Sequence, residues 1–361
     1  MGASVIDLDH NATTPLDPAA RDAVLRWLGA PANSFAVHAR GRAAHAAVED
    51  AREQVAWMLG VAPDDVVFTS GATEANALAL GAGGESGTHW VCAPVEHPSV
   101  TGWARAELPV DDAGRLSPQD LAAHAGPAVR GVAIQAANNE TGVLQDLVPL
   151  VEVAHARGWQ VHVDAAQAPG RMDLHALKCA DSITLSAHKM GGPQGVGAFV
   201  VPGRGRAQRA GLLRGGPQER AVRPGTHAVA LIAGFGAAAE ASRDRLARAG
   251  ELAARRDRLE AACVRLGARV VGAGAPRLPN TCCVAFPRVQ AADMVIALDL
   301  AGVAASAGAA CSSGSPRPSA TLRALGFEDG AVRFSLGHTT TDAEIDAVAA
   351  RIPGLLARLT A

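Results

Sequence analysis

Six short apolar runs, each ending in turn-forming residues, alternate with helical stretches: VVFTS at 66–70, HWVCAP at 89–94, GVAIQ at 131–135, QVHVDAA at 160–166, SITLSAH at 182–188 and GVGAFVV at 195–201. Continuous apolar runs of this length suit strands buried on both faces. Their alternation with helical patterns predicts an α/β fold, a mostly parallel sheet with helices on both sides. From Thr226 to about Leu266 an Ala- and Arg-rich helical stretch follows, with Gly250 as its expected break. Strands near 270–272, 282–286 and 332–336 and helices near 291–300, 318–325 and 342–359 then predict a smaller α+β unit, against which the N-terminal segment is expected to pack.

At 361 residues the chain is long for one core, since single cores stop growing at roughly 250–300 residues. The expected division is a large domain over 13–245 and a small one formed by 1–12 with 246–361. A hydrophobic share of 48% against 19% charged residues can bury both cores. The formal charge of −2 gives no overall field toward nucleic acid or an anionic membrane, so neither partner is expected. The opening MGASVIDLDHNATTP has no signal-peptide pattern, and no membrane-length apolar stretch follows; the expected location is the cytoplasm.

The cysteines are Cys92, Cys179, Cys263, Cys282, Cys283 and Cys311, with no C-x-x-C pair and no zinc-finger spacing. Neither a metal site nor a disulfide framework is expected. Five should be small buried hydrophobes. Cys311 differs: its setting, A-S-A-G-A-A-C-S-S-G-S-P-R-P, predicts a mobile surface loop and an accessible thiol.

Four segments carry chemistry. In S-A-H-K-M-G-G-P-Q-G a strand delivers Ser186, His188 and Lys189 into a Gly-rich loop that lets a bulky ligand approach the amine. In H-V-D-A-A-Q another strand leaves Asp164 and Gln167 at its carboxyl edge, where open α/β sheets bind ligands. A carboxylate beside a strand-end lysine is what pyridoxal 5'-phosphate (PLP) needs, because the acid keeps the pyridine nitrogen protonated. In F-T-S-G-A-T-E-A-N a strand turns into a helix whose N-terminus, with Gly71, Ala72 and Thr73, favours a phosphate. His97 in E-H-P-S-V could lie flat on an aromatic cofactor, and Asn138 and Asn139 could bond it or shape a turn.

Together these segments resemble the NifS-like cysteine desulfurases, of the class V aminotransferase group with the type I PLP fold. The likeness runs nearly end to end, through L-D-H-N-A-T-T-P-L-D-P, the segments above, N-N-E-T-G, Q-E-R-A-V-R-P-G-T, L-P-N-T, G-A-A-C-S-S-G and V-R-F-S-L-G-H. It implies a seven-stranded-type sheet in the large domain. It implies that Lys189 carries PLP as a Schiff base, that Asp164 pairs with the pyridine nitrogen, and that Gln167 and Asn139 meet the phenolic oxygen. His97 would stack on the ring and take part in catalysis. Ala72, Thr73, Ser186 and His188 would hold the phosphate, and Thr226 would reach the phosphate of a neighbouring subunit in a homodimer. Arg333, assisted by Asn33, would bind the substrate carboxylate.

The activity so implied is conversion of L-cysteine to L-alanine, with sulfur passing to Cys311 as a persulfide and on to an acceptor protein or small molecule. Departures from the pattern are Ser34-Phe35-Ala36-Val37 beside Asn33, His338 where many members have a second arginine, and Pro217 and Pro224 in a stretch usually richer in Gly and Ser. The rival readings are another PLP carbon–sulfur lyase, a selenocysteine lyase, an epimerase or an aminotransferase on the same fold, none of which needs a loop thiol. A rival of another class is a catalytically idle scaffold or sulfur-relay subunit.

Overall fold

The computed structural model describes residues 5–31, 33–81, 87–124, 126, 128–203, 211–308 and 318–360. Strands, in chain order, are β1 (Ile6–Asp7), β2 (Val66–Thr69), β3 (His89–Cys92), β4 (Ala104–Ala106), β5 (Val129–Gln135), β6 (Gln160–Asp164), β7 (Ser182–Ser186), β8 (Gly197–Val200), β9 (Arg269–Val270), β10 (Thr281–Ala285), β11 (Val303–Ala304) and β12 (Val332–Ser335). The principal helices are α1 (Pro18–Trp27), α2 (Ala39–Leu59), α3 (Ala72–Gly81), α4 (Pro98–Thr101), α5 (Pro118–Ala123), α6 (Leu147–Ala156), α7 (Val229–Ala247), α8 (Ala249–Arg265), α9 (Ala291–Leu300), α10 (Ala320–Ala324) and α11 (Asp342–Leu359).

Seven strands form one sheet in the order β2-β8-β7-β6-β5-β3-β4, parallel throughout except for β8, which runs antiparallel to both neighbours. All six apolar runs are strands of this sheet. The short edge strand β4 escaped the sequence pattern because three residues pairing on one side need no apolar run. Parallel strands bring Thr69, Gln135, Asp164 and Ser186 to the same edge. The register refines this, since Gly197 faces Thr69 on one side and Ser186 on the other. A Cβ on Gly197 would lie 2.8 Å from the backbone of Gly71, so only glycine lets β8 run under the turn after β2.

Local signals set the helix ends. Asp17 caps α1 through a bond from the Ala19 N–H, with Pro18 at the first position. Gly60 ends α2 at φ +68, and Thr341 with Glu344 forms a capping box on α11. The helix break expected at Gly250 lies instead at Arg248, which has φ −100 and ψ 11 and is the last cap of α7 and the first of α8. Gly250 is inside α8, and a side chain there would meet nothing within 4 Å. At the turn the exposed Arg248 guanidinium bonds Glu251 at 3.0 Å.

A large apolar core lies around the seven-stranded sheet, including Val48, Val132, Ile134, Val163, Ile183, Leu185 and Phe235. A second core, with Leu8, Leu259, Cys282, Met294, Phe334, Val348 and Ile352, is built by β10 and its antiparallel neighbours β9 and β12 under α8, α9 and α11. The N-terminal segment joins it as expected, β1 pairing in parallel with β11. Among the described residues no helix is long and apolar enough to cross a membrane.

Candidate active site

Lys189 ends a short 3₁₀ turn directly after β7 and lines two adjoining spaces at the carboxyl edge of the sheet, which also share Ala72, His97 and Asn139. One, of about 40 Å³, is walled by Ala72, His97, Asn139, Asp164, Gln167 and Lys189. The other, of about 520 Å³, continues past Thr73, Ser186, His188 and Arg333. The sheet edge thus gathers side chains far apart in sequence around one amine.

Asp164 is fixed on both carboxylate oxygens. Oδ1 accepts the Ala166 N–H at 3.0 Å and Oδ2 accepts Asn76 Nδ2 at 2.8 Å. Asn76, inside α3, also donates to Ser99 Oγ at 2.8 Å, while its carbonyl contacts His162 Nε2 at 2.9 Å. His97 Nδ1 accepts the Ser99 N–H at 3.1 Å and lies 2.7 Å from Ser99 Oγ, which places its ring proton on Nε2. Burial pushes the His97 pKa down and Lys189 adds to this, outweighing the opposing pull of Asp164, so the imidazole is neutral at pH 7. Burial likewise raises Glu96, one residue earlier, well above the carboxylate range, and the Asp164 charge raises it further.

The opposite end suits an anion. The first N–H groups of the ten-residue α3 have no carbonyl within their own helix to bond. A Cβ on Gly71 would meet nothing within 4 Å, so the turn faces open space. Ser186 is buried beside it, and His188 Nδ1 lies 3.2 Å from Thr13 Oγ1. Burial, then Lys189 and Arg171, lowers the His188 pKa to about 4, making it a neutral donor.

Arg333 reaches the same cavity from β12. Its guanidinium bonds Asp9 Oδ1 at 2.6 Å and the Asn139 carbonyl at 3.0 Å, while its buried Nε has no partner among the described residues.

The model of the aminotransferase class-V family matches residues 6–348. The chain belongs to the class-V aminotransferase family. Within this family, a protein from Cereibacter sphaeroides named cysteine desulfurase is 39% identical, over 98% of this chain and 96% of that protein. A solved NifS-like protein superposes at a TM-score of 0.88 with 30% identity, covering 98% of this chain and all of the other. A structure described as SspA in complex with cysteine superposes at 0.80, with 28% identity over 92% and 99% of the two chains. The type I PLP fold expected from the motifs is therefore the fold of this class-V member.

Of the sequence candidates, Lys189, Asp164, His97, Gln167, Asn139, Ala72, Thr73, Ser186, His188 and Arg333 all line these spaces. Asn138 does not; its amide oxygen caps the Glu140 and Thr141 N–H groups and shapes the turn. Asn33 is exposed, its Oδ1 accepting the Phe35 N–H at 3.0 Å, and Thr226 is exposed; neither lines the cavity in the single chain. Cys311 lies outside the described residues. Gly308 and Ser319, which flank its segment, both meet Glu140 beside Asn139: Ser319 Oγ donates to Oε2 at 2.6 Å, and a Cβ on Gly308 would lie 2.8 Å from it. Among the described residues no cluster could hold a metal ion.

Two residues went unread in the sequence. Asn76 sits in the quoted motif F-T-S-G-A-T-E-A-N, but only the fold shows its side chain reaching Asp164 and Ser99. Arg171, in P-G-R-M after β6, belongs to no motif.

Proposed function

We propose that this chain is a PLP-dependent cysteine desulfurase. The observation that carries the reading is the meeting of Lys189, Asp164 and His97 on one small cavity at the sheet edge, opposite the helix N-terminus at Ala72. The donor set fits the cofactor: a doubly held carboxylate for a ring N–H, a neutral imidazole for the ring face, and backbone donors with Ser186 and His188 for a phosphate. When bound, PLP supplies an electron sink for the carbanion formed at the substrate Cα.

The chain's own groups do the rest. Lys189 holds the cofactor and, once released by cysteine, takes the Cα proton on Nζ. Asp164 holds the ring nitrogen's proton. Arg333, already oriented by Asp9 and the Asn139 carbonyl, receives the substrate carboxylate. The Cys311 thiolate attacks the substrate sulfur; the new S–S bond forms as the C–S bond breaks, and protonation of the remaining carbon skeleton gives alanine. Sulfur then leaves Cys311 for an acceptor protein or small molecule.

The exposed Thr226 supports a homodimer in which each chain completes its neighbour's phosphate site. The two apolar cores support a large domain over 13–245 and a small one from 1–12 with 246–361. A cytoplasmic setting fits an activity that needs a reduced thiol. Mass spectrometry after incubation with L-cysteine tests the proposal: one added sulfur, about 32 Da, should map to Cys311. An unmodified Cys311 with free sulfide released would favour a lyase instead.

A further inference from the structure

Arg171 is half-buried behind Gln167 and Lys189, outside the two spaces described above, and among the described residues no carboxylate pairs with it. Its two terminal nitrogens bond four un-ionised oxygens. Nη1 donates to Asn11 Oδ1 at 3.0 Å and to Gln167 Oε1; Nη2 donates to the His10 carbonyl at 3.1 Å and the Lys189 carbonyl at 3.0 Å. A guanidinium has five N–H groups, so four are committed here.

The consequence falls on Gln167. Its Nε2 donates to the Asn11 carbonyl at 3.1 Å while its Oε1 is taken by Arg171. Flipping the amide would turn its NH₂ toward a cation that can only donate, so the orientation is locked. One amide N–H then remains for the cavity that Gln167 lines with Asp164, His97 and Lys189. From that side the residue can donate and cannot accept.

We propose that Arg171 is a positioning residue: it fixes and polarises the Gln167 amide so that the cavity meets an N–H donor, suited to an oxygen anion on the cofactor ring. The inference rests on the PLP reading above. A charged donor on Oε1 strengthens the bond made by the amide N–H through polarisation of the chain. The charged and titratable groups facing this corner are Asp164, His10, His188, Lys189, Arg245 and Arg333. Burial, with the charges of Arg333 and Arg245, lowers the Arg171 pKa to about 9, so it remains a cation at neutral pH.

The test is a spectroscopic pH titration of the bound cofactor's visible band in the holoenzyme. Stabilising the ring oxygen anion makes the neighbouring nitrogen easier to deprotonate. Arg171→Met and Gln167→Ala should therefore each raise the midpoint, by on the order of one pH unit. Because Arg171 acts through Gln167, the double variant should move no further than Gln167→Ala alone. A merely structural arginine would lower yield or stability and leave the midpoint in place. Two results would overturn the inference: an unmoved midpoint in Gln167→Ala, decisive even if Arg171→Met does not fold, or a full Arg171→Met shift surviving in the Gln167→Ala background. Failure of the PLP reading looks different: the unaltered protein would then show no visible band to titrate.

Discussion

Asn76 joins Asp164 to His97: one amide NH₂ donates to the carboxylate and to Ser99 Oγ, and Ser99 in turn holds the imidazole. The carboxylate and the imidazole therefore share one side chain inside α3 as a common support.

Replacing Asn76 by alanine should then lower kcat with little change in the KM for cysteine. The expected loss is about tenfold, equivalent to a hydrogen bond of roughly 1.4 kcal/mol. Steady-state kinetics check this, with circular dichroism to verify the fold. An unchanged kcat would reduce Asn76 to a packing role.

Lys189→Ala should abolish turnover while the fold survives, because Lys189 sits on a turn at the edge of the sheet and not in its core. Borohydride reduction of the PLP-treated protein should fix the cofactor covalently on the original chain and not on the variant. Normal alanine formation by Lys189→Ala would end the assignment.

The thiols should separate by chemistry. Burial raises the pKa of Cys92, Cys282 and Cys283, and that of Cys263 to about 12, so at pH 8 almost none is thiolate. Brief alkylation of the native protein should leave these four unmodified and label Cys311, as peptide mass mapping would reveal. Cys311→Ser should still bind cysteine yet form neither persulfide nor alanine. Alanine produced at the original rate with sulfide released would favour the lyase reading.

Stability should depend on the buried pair of Arg52 and Glu219, joined at 2.7 and 2.9 Å. Burial pushes Glu219 up, but His227 and Arg52 outweigh it and hold its pKa at about 2. His227 Nε2 is 2.9 Å from Oε1, though outside good hydrogen-bond geometry, so Arg52 is the firmer partner. A depressed carboxylate pKa stabilises the fold above the unfolded value, near 4.5, and this is lost as pH falls toward 2. Glu219→Gln should cost about 3 kcal/mol at pH 7, because Arg52 loses its buried carboxylate and keeps only the half-exposed Glu49 and the Val66 carbonyl. The gap between the two proteins in urea denaturation should narrow below about pH 4. A gap independent of pH would mean that Glu219 matters by shape alone.

The sheet was legible because its strands are buried on both faces, which leaves unbroken apolar runs in the sequence, and its parallel order then placed Asp164 and Lys189 at one edge. The helix break was misread at Gly250 because glycine is a break only where the backbone needs it, and the chain turns instead at Arg248. Arg171 belongs to no quoted segment, and Glu219, though inside Q-E-R-A-V-R-P-G-T, gives no sign there of its pairing with Arg52. Their partners are set by tertiary proximity: residues 10 and 189 for one, and 167 residues of separation for the other.

The described chain passes between the two cores twice, once between Leu8 and α1 and once at Arg248. These crossings are bolted together, because Arg245 in the last turn of α7 bonds both Asp17 and the Met190 carbonyl. The two cores also meet away from these crossings, where the Leu144 N–H donates to the Pro276 carbonyl at 2.9 Å and the Leu278 N–H to the Gly142 carbonyl at 2.8 Å. Arg333, on the strand β12 of the second core, bonds the Asn139 carbonyl in the same turn, so the guanidinium proposed to take the substrate carboxylate is tied to the wall of the cavity that Lys189 lines.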